Sequence, residues 1–246
     1  MKNIKETIPF WITVIAILLV PSYLLCQPPF PGSPGGYGPP GASFRQSPPT
    51  LPIEKVSPGV FRLGEIRIQK ESRSISFPAH VNMDKGLLEY LLVRSSGKVH
   101  ESLLRTDVDP YHLQIALLLL GFEGTDRPLS EQGSSERPKG DPVEILVELR
   151  QKERSLSFKT EDWIARKTEK GFIGAGVIDW VYTGSAVVQG QFLAHSTGSI
   201  VAIYHDPSAL VDNASQGGES DEIWFVKEGS VPPVGTPVIV TLKAKN

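Results

Sequence analysis

The chain has 246 residues, a formal charge of −2, an apolar fraction of 40% and a single cysteine. That is a globular composition with room for one large domain or two small ones. Its Lys and Arg residues are interleaved with Asp and Glu, so no nucleic-acid partner is indicated. One cysteine excludes an intrachain disulfide, and also a Cys-ligated iron–sulfur cluster, which needs several thiolates.

Residues 1–26 read as a targeting segment. Lys2 and Lys5 precede Pro9 to Cys26, a run without charge, so the positive end stays cytoplasmic and the rest of the chain is exported, to the periplasm or cell surface. Signal-peptide cleavage, retention as a membrane anchor and lipidation at Cys26 are all open. Residues 27–58 are rich in Pro and Gly and offer no apolar face to bury, which predicts an extended, disordered spacer. The membrane is then contacted through the N-terminal segment alone.

The globular domain is expected over 59–246. Phe61 to Leu63 and Ile66 to Ile68 alternate as strands do, and Ser74 to Val81 is a further extended run. Leu87 to Arg94, a turn at Ser95 to Lys98, and Val99 to Leu104 read as a hairpin. In that hairpin the period of two puts His100 and Ser102 on one face and Glu101 on the other.

Residues 109–121 read as a helix. Asp109 is placed to cap it, Pro110 suits its first position and Gly121 its left-handed end. Leucines and isoleucine lie all round it, so it is expected to be buried on every side. Thr125 to Pro142 is a polar loop and a candidate internal boundary. Beyond it, strands are expected at Val143 to Leu149, Gly176 to Tyr182, Ser185 to Leu193, Ile200 to Tyr204, Ile223 to Val226 and Pro237 to Leu242. The predicted class is α+β: short, mostly antiparallel strands with one buried helix.

GKVHESLL and DPYHLQIALLLLG, together with Trp180, Gly184-Ser185, Asp206 to Leu210 and Val231 to Val238, resemble the YdjY-like family of bacterial envelope proteins over residues 60–244. The resemblance implies an envelope location and brings no established activity with it. Some members carry a ferredoxin-type iron–sulfur label, from which this chain departs by its cysteine count.

The motifs for chemistry are sparse. His100-Glu101 begins like a zinc-protease HExxH, but the fifth position is Leu104. His100, His112, His195 and His205 with Glu101, Asp107 and Asp206 are metal-ligating types that a fold could bring together; their spacing does not decide it, and no metal site is assigned. Ser102 and Ser185 lack the G-x-S-x-G turn of a serine nucleophile. Gly174-Ala175-Gly176 lacks the third glycine of a dinucleotide fingerprint. Trp180, among the aromatic residues, and His112, His195 and His205 are candidate ligand-binding residues. His100, Glu101 and Ser102 are the candidate catalytic ones. The composition and motifs favour a non-catalytic envelope module that binds a ligand or a protein. The alternative is a hydrolase using His100, Glu101 and Ser102, with or without a metal.

Overall fold

The computed structural model describes residues 51–151 and 154–245. The targeting segment and most of the spacer lie outside the described residues. The exception is the spacer's end, where Ile53–Ser57 is a strand, β1.

Next in the chain are β2 (Val60–Leu63), β3 (Ile66–Gln69), β4 (Ser74–Val81), β5 (Tyr90–Arg94) and β6 (Ser102–Thr106). After helix α1 (Pro110–Leu119) come β7 (Asp141–Gln151), β8 (Arg154–Lys159), β9 (Ile164–Thr168), β10 (Gly171–Gly174) and β11 (Trp180–Tyr182). The chain continues through β12 (Val187–Val188), β13 (Gln191–Phe192), the short helix α2 (Leu193–Thr197), β14 (Ser199–Ala202), β15 (Val211–Asn213), β16 (Trp224–Val226) and β17 (Pro237–Ala244).

Eight strands close into a barrel in the order β4, β17, β7, β11, β15, β14, β5, β6 and back to β4. Two long strands explain why the sheet both closes and spills outward. β4 pairs along one edge with β17, while its other edge is shared between β3 at Ser74 to Ser76 and β6 at His80 and Val81. β7 likewise faces β17 on one side and is divided on the other between β11 and β8. The β1–β2–β3 extension and β8 are therefore flaps peeling off β4 and β7. β9, β10 and β16 form a separate three-stranded sheet. Closure leaves the barrel strands no free edge, which is the usual solution for a twisted sheet of this size.

The strands expected at Ser74 to Val81 and Pro237 to Leu242 are observed as β4 and β17, where every second residue from Phe77 to Val81 and from Val238 to Ala244 is buried, with Ile75, Phe77, Val240 and Leu242 in the core. β5, β14 and β15 are instead buried on both faces. Tyr90, Val93, Ala202 and Ala209 form a small second cluster outside the main core.

Several expectations are corrected. β5 and β6 pair in parallel, Tyr90 opposite Ser102 and Arg94 opposite Thr106, not as a hairpin. A turn at Gly97 and a 3-10 turn at Val99–Glu101 carry the chain back to the start of β5, where the Glu89 N–H donates to the Glu101 carbonyl at 3.0 Å. β6 then restarts in the same direction and reaches β4, which closes the barrel. The stretch from Ser185 to Leu193 is a tight hairpin running into α2 rather than one strand, so the fold is β-rich with two helices, not one. The loop 125–140 is no internal boundary. It is tied to the barrel by Thr125 N–H to the Thr183 carbonyl and Gly133 N–H to the His205 carbonyl, and one compact unit spans it.

Both ends of α1 are as expected. Asp109 accepts the Tyr111 N–H, Pro110 opens the helix, and Gly121 at φ 73° lets Gly121 and Phe122 donate to the Leu118 and Leu117 carbonyls, which closes the helix with a Schellman motif. Its burial is not as expected. α1 packs one side against β3, β4 and α2, so Leu113, Ala116 and Leu117 are covered while Leu118 and Leu119 are 53% and 48% exposed.

Candidate functional site

The parallel pairing of β5 and β6 separates the candidate catalytic residues. His100 sits on the 3-10 turn with its side chain 76% exposed, 3.5 Å from the Glu101 carboxylate. Ser102 is fully buried, and its hydroxyl donates to the Leu104 carbonyl at 2.7 Å. His100 and Ser102 share no face, because only Ser102 belongs to the strand.

The other candidates are dispersed. His112 is buried in α1, edge-on to Tyr111. Trp180 is in the barrel core, and its indole N–H is the buried side-chain group without a partner among the described residues. His195 Nδ1 is 2.8 Å from Asp109, whose other oxygen takes Arg94 at 2.9 Å. The cap of α1 thereby also anchors α2 and the end of β5. His205 is buried with Nδ1 2.7 Å from the Ser134 carbonyl and Nε2 2.8 Å from the Asn213 carbonyl. Each ring nitrogen therefore lies against a backbone carbonyl, which holds the imidazole between the loop at Ser134 and the end of β15. Among the described residues no three His, Cys, Asp or Glu side chains are grouped as a metal ion requires.

What the fold does bring together is a chain of polar groups running from the surface into the molecule. Lys98 donates to the Tyr90 hydroxyl at 2.8 Å and to Gln132 at 3.1 Å, and Gln132 reaches Glu89 at 3.1 Å. The Tyr90 hydroxyl donates to Asp206 at 2.7 Å. Asp206 offers its own N–H to Asp212 at 3.0 Å, and Asp212 also accepts the Asn213 N–H at 2.7 Å.

The electrostatics reflect burial. Burial, then the Asp206 carboxylate, hold the Tyr90 hydroxyl well above the ordinary phenol range, so it stays protonated and donates. Burial raises Asp212 well above the usual carboxyl range despite two backbone donors. Glu89 is raised as well, first by burial and then by the neighbouring Glu101 carboxylate. This network ties the 3-10 turn, the loop at Gln132 and the segment 205–213 to one another. Its members have few free valences for a reacting group.

A different surface is better prepared for a ligand. A groove of about 310 Å³ opens between the start of β7, the 3-10 turn Thr160–Trp163 and the segment 174–178. Glu144, Glu161 and Asp162 line it together with Lys159, Lys227 and Lys245. Among the described residues one of these six is ion-paired, Lys245 with Asp179 at 3.6 Å. Gly176, Val177 and Ile178 make no backbone hydrogen bonds among the described residues. The groove has room because its wall lacks side chains: a Cβ on Gly174 or Gly176 would meet nothing within 4 Å.

The family model of the YdjY domain matches residues 66–243, from the first residue of β3 to the penultimate residue of β17. The chain belongs to the YdjY family. No curated protein matches it, and no solved structure does. The YdjY match contains all eight barrel strands but for Ala244, the groove apart from Lys245 and the whole Lys98–Asp212 network, whereas β1 and β2 precede it. Motif residues that are far apart in sequence meet inside the YdjY domain: the Ser185 hydroxyl donates to the Ser208 carbonyl at 2.8 Å, and the Ala186 N–H to the Pro207 carbonyl.

Sequence reasoning passed over the groove and the Tyr90–Asp206 bond. The one local signal for the groove is Gly174-Ala175-Gly176, whose pattern is equally that of an incomplete dinucleotide fingerprint.

Proposed function

We propose that this YdjY protein is an exported, non-catalytic binding module of the cell envelope, whose ligand occupies the groove along residues 174–178. The observation that carries the reading is the set of six charged side chains of both signs around one cavity, five of them without an ion-pair partner among the described residues. Opposite charges that share a cavity and do not pair are free to hold a bound molecule. A volume of about 310 Å³ is at the small end of ligand sites. Export is supported by the positive start and uncharged apolar run of residues 2–26.

The hydrolase alternative has weaker support. A serine nucleophile needs a base within hydrogen-bond reach, and Ser102 is buried and bonded to a backbone carbonyl while His100 is exposed.

Native mass spectrometry of the full chain, isolated from the host that exports it, tests the reading. The wild-type chain is expected to carry a bound mass that the Gly174→Trp variant lacks. Gly174 is the residue to fill because it has open space beyond its Cα and no positive φ. Equal bound mass on both chains, or none on either, contradicts the proposal.

A further inference from the structure

The charges of the groove define the class of molecule that completes it. Three ammonium groups, on Lys159, Lys227 and Lys245, and three carboxylates, on Glu144, Glu161 and Asp162, line a single cavity. A purely anionic ligand would leave the three carboxylates facing its own charge. A purely cationic one would do the same to the lysines, and a neutral apolar one would strip water from all six without replacing its hydrogen bonds. A molecule with a cationic end and an anionic end avoids each of these costs.

One wall of the cavity adds a second requirement. The backbone of Gly176 to Ile178 presents amide and carbonyl groups with no partner among the described residues. Such groups pair best with another amide backbone, as an added strand does along a sheet. The glycines at 174 and 176 leave space for close approach, and Val177, which is exposed, supplies apolar surface beside it. From this we infer that the ligand is a short peptide with both termini free. Its amide groups lie along residues 176–178, its ammonium faces Glu144, Glu161 and Asp162, and its carboxylate faces the lysines. The inference rests on the binding-module reading of the same groove and narrows it to one ligand class.

Calorimetric titration of the full chain with tri-alanine tests it, in comparison with tri-alanine acetylated at its N-terminus and tri-alanine amidated at its C-terminus. The free tripeptide is expected to bind the wild-type chain. Each blocked form should bind about tenfold more weakly or worse, as the loss of a charge-assisted contact requires, and Gly174→Trp should abolish binding. Equal binding of free and blocked peptides overturns the requirement for free termini. Failure of tri-alanine to bind, while native mass spectrometry still finds a bound mass that Gly174→Trp removes, overturns the peptide class and leaves the groove as a site for something else. Absence of both overturns the groove as well.

Discussion

The Tyr90 hydroxyl donates to the Asp206 carboxylate at 2.7 Å inside the protein, joining the first residue of β5 to the segment between β14 and β15. Both residues are nearly inaccessible to solvent. Tyr90→Phe removes this donor and also the acceptor used by Lys98 and Gln132. An unsatisfied buried polar group costs about 1–3 kcal/mol, and in a domain of this size each kcal/mol shifts Tm by roughly 2–4 °C. Thermal unfolding of Tyr90→Phe should therefore show a Tm lower by several degrees. An unchanged Tm would mean that Asp206 finds another partner.

Asp212 makes stability depend on pH in a direction opposite to that of an ion-paired carboxylate. Burial raises its pKa above 3.8 in the folded chain, so the folded state binds the proton more tightly than the unfolded state. Stability from this group is then greatest below the unfolded value. It falls as pH rises past 3.8 and levels off above the folded pKa. Asp212→Asn carries no such proton. The difference in unfolding free energy between wild type and Asp212→Asn, measured in urea from about pH 4 to about pH 8, should shift against the wild type as pH rises. A difference independent of pH would contradict the assignment.

Gly218 is fixed by crowding rather than by backbone conformation. A Cβ there would fall on His205 Nε2 and lie 2.6 Å from the Asn213 carbonyl, against the bond that ring and carbonyl make with each other. Gly218→Ala should cost about 1–3 kcal/mol as an overpacked site does, and should move the His205 ring resonances in an NMR spectrum. Unmoved ring resonances would show that the segment around Gly218 yields instead.

How far the sequence revealed this fold depended on whether a signal was local. The caps of α1 were legible because Asp109, Pro110 and Gly121 act within a single turn. β4 and β17 were legible because one face of each is buried and the other is partly open, which imposes a period of two. Parallel pairing of β5 and β6 was not legible, since it depends on the return path through Gly97 and the 3-10 turn, and the residues Val99 to Leu104 suit a hairpin equally well. The exposure of Leu118 and Leu119 was also hidden. Their apolar character says that they can be buried, while how much of α1 the barrel covers is decided by β3 and β4. The groove escaped notice because its charges come from β7, the end of β8, the Thr160–Trp163 turn, Lys227 and Lys245, which are far apart in the chain.

His100 and Ser102 are close in the candidate catalytic run but differ in environment, and so should differ in response. His100→Ala removes an exposed side chain, which places its effect within about 0.5 kcal/mol. Ser102→Ala deletes a buried hydroxyl bonded to Leu104 and should cost about 1 kcal/mol. Paired thermal melts check this. A large loss for His100→Ala would restore a structural or functional role to that residue.

Amide hydrogen exchange on the full chain, with and without saturating tri-alanine, tests the central claim that the groove binds a short peptide. Unpartnered amides exchange fast, and a bound backbone slows them. Protection should appear at Gly176, Val177 and Ile178 and in the neighbouring Thr160–Trp163 turn, with the barrel strands unchanged. Protection confined elsewhere, such as the apolar surface of Ile53, Phe61 and Leu119, or no protection anywhere, would contradict it.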